Sequence, residues 1–263
     1  MVVEEPVTNT SKKPVRRHKR VTQSTFSPVS ARLANAGRAA VRIGIATENG
    51  FPVDHADFAW GAILSTVKGD SAAELEERAD EETHKNRLIT YAWCGAAQLR
   101  GEVKALCKAA VALFGIPGEY SQQEIITHID WLIGKKGVFR YGGINLEHTY
   151  DPQQPYGAAF YKEVTTKQWF DTLKSEGVRA QSFEQFVDSP VPLITLVTAA
   201  MENSLKEYAS GIRVQIKFTE EEYQHHRASL LNLQLKSPTW FTQFQHNLYV
   251  KIVCVPLFLT GCH

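Results

Sequence analysis

Apolar residues recur with a helical period through most of the chain, and the breaks between periodic stretches carry helix caps and stops. "SPVSARLANAGRAAVRIG" opens the pattern. Ser27 suits the N-cap and Pro28 the first helical turn, where its missing N–H would have no partner anyway. Asp54 caps a second helix, "HADFAWGAILSTVKG", which Gly69 closes. Ser71 opens a long helical region. Its first part, "SAAELEERADEETHKNRLITYAW", is charged on most faces. Its second part, "QLRGEVKALCKAAVALFG", sets Leu99, Val103, Leu106, Cys107, Ala110, Leu113 and Phe114 on one stripe before Gly115 and Pro117 end it. Ser121, with Glu124 three residues on, makes a capping box. The helix it starts presents Ile125, Ile126, Ile129, Leu132 and Ile133 to a core, and Gly134 and Gly137 stop it.

The second half continues in the same manner. "VFRYGG" reads as a short extended piece ending in a turn, and "NLEHTYDPQQPYG" as a loop with two prolines. "AAFYKEVTTKQWFDTLK" is a further helix closed near Gly177. "SPVPLITLVTAAMENSLKEYASG" places Val197, Ala200, Met201, Leu205 and Tyr208 on one stripe, with Gly211 as its C-cap. "RVQIKF" alternates strictly, Val214, Ile216 and Phe218 against Arg213, Gln215 and Lys217, as a half-buried strand or extended link does. Thr219 caps "TEEEYQHHRASLLNLQL", and "SPTWFTQFQHNLYVK" forms one more helix.

These elements predict a mainly α, multi-helix globular bundle with at most two short strands. No period of 20–50 residues recurs, so it is not a solenoid. Residues 1–26 have neither a helical nor a strand period and are expected to be a disordered basic arm. Residues 27–250 make a single all-α domain, and 251–263 form a tail of undecided order. The N-terminus has no apolar run of the kind a secretory signal needs. The longest apolar candidate, "IVCVPLFLTG", falls short of the roughly 20 residues of a membrane span. Free thiols in a reducing compartment are the expectation for Cys94, Cys107, Cys254 and Cys262, and no membrane partner is expected.

Charge changes this picture. The net charge of +1 hides a split: residues 1–42 hold nine Lys/Arg and two acids, a net of +7, leaving 20 basic and 26 acidic residues, a net of −6, for the rest. Six of the nine, Lys12, Lys13, Arg16, Arg17, Lys19 and Arg20, fall in "SKKPVRRHKR". Such a run fits a nuclear import receptor's address, and it can also contact nucleic-acid phosphates through residues 11–20. The acidic body argues against a broad nucleic-acid surface elsewhere.

In "TAAMENSLKEYASG" and the segment after it, Thr198, Ala199, Leu205, Glu207, Tyr208, Gly211, Phe218 and Tyr223 resemble a helical domain family of unknown function expanded in mushroom-forming (basidiomycete) fungi. "QLRGEVK", Gln98 to Lys104, is similar to an earlier block of that family, so the resemblance covers roughly residues 80–235. It implies an all-α fold and polar N-terminal extensions, and brings no established activity or catalytic residues.

Candidate chemistry is sparse. His128 and Asp130 have the H-x-D spacing of a facial-triad iron site, but positions i and i+2 of a helix point about 200° apart and cannot readily chelate one ion. Both are expected on the solvent side, opposite Ile125, Ile129 and Leu132. His225 and His226 are adjacent and lack the i, i+4 spacing of a zinc pair, so Glu221–His225 and Glu222–His226 read as surface pairs worth about 0.2–0.5 kcal/mol. "GKKG" lacks the strand before and helix after that a phosphate loop needs, and is a helix C-terminus instead. The dense charge of "ELEERADEE" is a solvated helix face. Trp60, Trp93, Trp131, Trp169 and Trp240 are expected to pack in the core or in grooves, and are not interleaved along the chain with Lys/Arg as a base-stacking platform requires. No metal and no cofactor is expected.

The leading reading is a non-enzymatic nuclear protein, a helical interaction module for a protein partner with the arm as its address; the cytoplasm is the alternative location. A second reading is a helical enzyme with His128, Asp130, His225 and Glu222 around one cleft. A third is a homo-oligomer joined through an aromatic face such as Trp169–Phe170.

Overall fold

The computed structural model describes residues 21–67, 82–116 and 118–253. The six cations of the arm, the acidic run up to Glu81 and the closing Gly69 lie outside the described residues, as do Cys254 and Cys262. With one exception, helices appear where caps and periodicity place them: α1 (Pro28–Thr47), α2 (His55–Ser65), α3 (Glu82–Ala110), α4 (Gln122–Ile133), α5 (Ala159–Thr165), the single turn α6 (Phe183–Phe186), which no cap or period announces, α7 (Val191–Lys206), α8 (Glu220–Lys236) and α9 (Pro238–Val253). The Ser27 hydroxyl accepts from Ser30 N–H, and Asp54 accepts from Ala56 and Asp57 N–H. Both capping boxes are closed, Ser121 with Glu124 and Thr219 with Glu222.

The core is built around α7. It packs against α1, α3, α4, α5 and α8. Leu193, Ile194, Leu196, Val197, Ala199, Ala200, Met201 and Leu205 are all buried, so the helix is enclosed on every side rather than along one stripe. Its buried hydroxyls solve their own hydrogen bonding. Thr195, Thr198 and Ser204 each donate to the carbonyl four residues back, at 2.7 Å. Tyr161 on α5 shares the Thr198 hydroxyl at 2.9 Å.

α1 and α2 cover one side of α3. The approach of α1 to α3 is close: a Cβ on Gly95 would stand 2.7 Å from the Arg38 carbonyl oxygen, so only glycine fits there. Of the predicted α3 stripe, Leu99, Val103, Cys107, Ala110 and Phe114 are buried, Leu106 is half-buried and Leu113 is exposed. A 3-10 turn, Val111–Phe114, tightens the end, and Gly115 stops it at φ +77°.

Residues 21–26, expected within the disordered arm, instead hold a 3-10 turn, Gln23–Thr25, with Phe26 edge-on to Tyr91. Two further segments depart from expectation, while "RVQIKF" takes the second of its two expected forms. "VFR" is a 3-10 turn, Val138–Arg140, and the extended geometry begins only at Tyr141; the one β-bridge among the described residues joins Gly142 to Asp151. "RVQIKF" is an extended link without a partner strand. Its carbonyls at Ile216 and Lys217 accept from the side chains of Lys104 and Asn203 instead of a ladder. The helix begun at Ala159 leaves α geometry after Thr165 and continues as a π-turn over Thr166–Phe170. That turn delivers Trp169 and Phe170 into the core, where they are 0% and 5% exposed. The oligomeric face expected at Trp169–Phe170 is therefore not a surface: both rings pack against Phe186.

Candidate functional site

The four polar residues considered for an assembled site do not come together. His128 is buried, a correction to its expected place at the surface, while Asp130 is exposed. The solvent-side expectation failed because aromatic rings cover the histidine: Trp131 and His148 both stack on it. Its Nε2 lies 3.0 Å from the Phe114 carbonyl, which can only accept, so Nε2 carries the hydrogen. Nδ1 then accepts from His148 Nε2 at 2.8 Å. Burial pushes the His128 pKa down, partly offset by the Phe114 hydrogen bond. His225 is exposed, and Glu222 turns away from His226 toward α7. His226 bonds Glu202 on α7, so the expected i, i+4 pair on the surface of α8 is replaced by a pair between helices. The contacts of His128 and of Glu222 share no residue. The described residues contain no group of three metal-ligating side chains.

The two sequence blocks that carry the resemblance meet instead around Lys104. Its ammonium, on α3, donates to Asn203 Oδ1, to the Ile216 carbonyl at 2.6 Å and to Glu207 at 2.9 Å. An ammonium has three hydrogens, and all three are committed. Glu207 is 1% exposed and also meets Lys108 at 3.3 Å and Arg213 at 3.0 Å. Asn203 passes the connection on, donating to the Lys217 carbonyl at 3.0 Å and to Glu222 at 2.7 Å. Glu202 holds Lys206 at 2.8 Å beside its bond to His226. α3, α7, the 213–219 link and the start of α8 are thereby tied at one centre.

Electrostatics follow from that geometry. Burial alone would raise the Glu207 carboxyl, but the hydrogen bonds from Lys104 and Arg213 hold it below the ordinary carboxylate range. Glu202 is likewise opposed by burial yet is pulled to about 2 by hydrogen bonds from His226 and Lys206. A carboxyl whose folded pKa is depressed stabilises the fold above its unfolded pKa and loses that contribution as pH falls toward the folded value. Thermal stability should therefore hold from neutrality to about pH 5 and fall progressively between about 4.5 and 2. Melting curves across that range check this; an unchanged Tm at pH 2.5 contradicts it.

Beside this centre runs an open groove of about 750 Å³. Arg100 crosses it, donating to the Gly50 carbonyl at 2.9 Å with its guanidinium 3.9 Å from the Phe51 ring centroid. Burial lowers the Arg100 pKa to about 10. Tyr223 accepts the Gly50 N–H at 2.8 Å, and Phe218 meets Phe51 edge-on. Arg100 and Lys217 on its walls face Glu220 and Glu221, so the groove has no single sign of charge. Cys107 is buried and its thiol pKa is pushed up by burial, which removes it as a nucleophile at neutral pH.

A second surface has a different character. A groove of about 300 Å³ lies between the Gln153–Lys162 segment and α9. Trp240, Phe244, Asn247 and Lys251 line it from one face of α9. Trp240 is 38% exposed and stacks on Phe244 at 5.4 Å with the planes 5° apart. Tyr156, held at φ +57°, walls the groove and continues into a neighbouring groove of about 470 Å³ that contains Arg140 and Lys236. Aromatic rings and cations absent as a linear pattern are thus interleaved in space. The signal was the i, i+4, i+7, i+11 spacing within "WFTQFQHNLYVK".

Among the described residues no helix is long and apolar enough to cross a membrane. No curated protein and no solved structure matches the chain. A family model does match, over residues 36–234, which takes in the latter part of α1 through most of α8 and every residue of the Lys104 centre, while α9 lies beyond it. The chain belongs to the DUF6532 family, a domain of unknown function.

Proposed function

We propose that the chain is a non-catalytic helical binding module, directed to the nucleus by a receptor that reads Lys12, Lys13, Arg16, Arg17, Lys19 and Arg20, and serving a protein partner there. The observation that supports the body's part is the commitment of its polar centre. Lys104, Asn203, Glu207 and Glu222 bond one another and the 213–219 backbone, so their chemistry goes into holding helices together. The arm's part rests on the charge split, +7 over residues 1–42 against −6 for the rest. A Lys/Arg-rich run of this length is the kind of segment such a receptor reads.

The test is imaging of the full chain fused to a tag too large to diffuse through nuclear pores, with and without residues 11–20. Nuclear accumulation that disappears on deletion is the expected result. An unchanged distribution removes the targeting role.

A further inference from the structure

We infer that the paired grooves beside α9 bind single-stranded nucleic acid, with a base stacked on Trp240 and phosphates held by Lys162 and Lys251. This goes beyond the binding-module reading and does not depend on the arm being an address. Three observations converge on it.

The first is charge. The sequence after residue 42 has a net of −6, yet the two grooves contain Lys162, Lys251, Arg140 and Lys236 and no carboxylate. Asp151, whose carboxylate takes the Gln154 amide at 2.6 Å, lines neither groove. Fields are screened within about 8 Å at physiological salt, so the local sign decides what a phosphate meets there. The acidic body does not prevent binding at such a cluster.

The second is the platform. An indole more than a third exposed and backed by the parallel ring of Phe244 presents a rigid π-face, the surface on which unpaired bases stack without regard to sequence. Tyr156 lies 5.5 Å from Phe244, so the aromatic surface extends toward the second groove. Arg140 donates to the Tyr156 hydroxyl and sits 5.6 Å from its ring, placing a cation at the junction. A duplex hides its base faces and could not use this surface; a single strand can.

The third is size and polarity. About 300 Å³ is at the lower end of small-ligand sites and accommodates one nucleotide. In its wall Gln243 Nε2 donates to Asn247 Oδ1 at 2.9 Å, which leaves the Gln243 carbonyl oxygen as acceptor and the Asn247 amide nitrogen as donor for a base edge. The groove continues past Pro155 and Tyr156 into its neighbour, which gives a strand somewhere to go beyond the first base. Since α9 lies outside the matched family span, the site belongs to this chain's own C-terminal helix as much as to the domain.

Because residues 11–20 also attract phosphates, the experiment uses the full chain with the six arm cations replaced by Gln. Fluorescence anisotropy of a labelled ten-nucleotide single strand should report binding that Trp240→Ala weakens about tenfold. Lys162→Gln with Lys251→Gln should flatten the salt dependence by roughly 0.7 per lost phosphate contact in the log–log slope. AMP is titrated as a competitor. Displacement identifies a pocket for one nucleotide, failure to displace identifies a strand-length site, and both uphold nucleotide chemistry. Trp240 and the two lysines are exposed, so these variants should keep the wild-type circular dichroism. The inference is overturned if the arm-neutralised chain binds neither probe, or if Trp240→Ala leaves strand affinity unchanged.

Discussion

Glu207→Ala should remove about 3–5 kcal/mol of unfolding free energy, the usual effect of breaking a buried ion pair from one side. Three cations, Lys104, Lys108 and Arg213, converge on this carboxylate. Lys104 is the one that cannot turn to water, being 8% exposed with its other two hydrogens fixed on Asn203 and the Ile216 carbonyl. Its charge would be left without a counter-ion in a poorly solvated place. Against a typical domain stability of 5–15 kcal/mol, that is a large fraction. Urea denaturation followed by circular dichroism measures it, with Glu119→Ala, an exposed acid in the loop before α4, as a control expected within about 0.5 kcal/mol of wild type. A loss under 1 kcal/mol for Glu207→Ala would mean that the centre is solvated and is not what ties α3 to α7.

Trp169→Ala should cost a similar amount, about 3–5 kcal/mol, through a cavity rather than a charge. The ring is 0% exposed and lies against Phe186. It is held there by the π-turn, and the Trp169 carbonyl accepts from Gly177 N–H at 2.9 Å, which folds the following loop back over it. Calorimetry of the variant gives the size of the effect. The same variant decides between a core role and an interface role. Light scattering should find the molecular mass of wild type and variant equal, and a mass that falls with little loss of stability would return Trp169 to a subunit contact.

How much of this was legible in the sequence varies with the physics involved. Helix starts were legible because a cap is a local device: Ser27, Asp54, Ser121 and Thr219 all act within three residues of themselves. The central place of α7 was not, since one stripe of large apolar residues hides that Thr195, Thr198 and Ser204 satisfy their hydroxyls on their own helix and can be buried too. His128 was misplaced for a similar reason. Its cover comes from Trp131, one turn on, but also from His148 in a loop, and neither the Phe114 carbonyl nor that loop is visible to a helical period. "RVQIKF" alternates as a strand does, yet Lys104 and Asn203 take its carbonyls, a competition between distant residues. Glu222 follows the same rule: a partner four residues along its own helix lost to Asn203 and Lys206 across the interface.

Two polar sets of the body thus contrast, an inward set around Lys104 and Glu207 that holds helices together, and an outward set beside Trp240 that lines an open groove. Hydrogen exchange on the full chain, with and without a saturating single-stranded oligonucleotide, separates them most directly. Slower exchange over residues 153–162 and 240–251, with no change around Lys104 and Glu207, is the predicted result. Protection centred on Lys104 and residues 203–222, with none along α9, would contradict it.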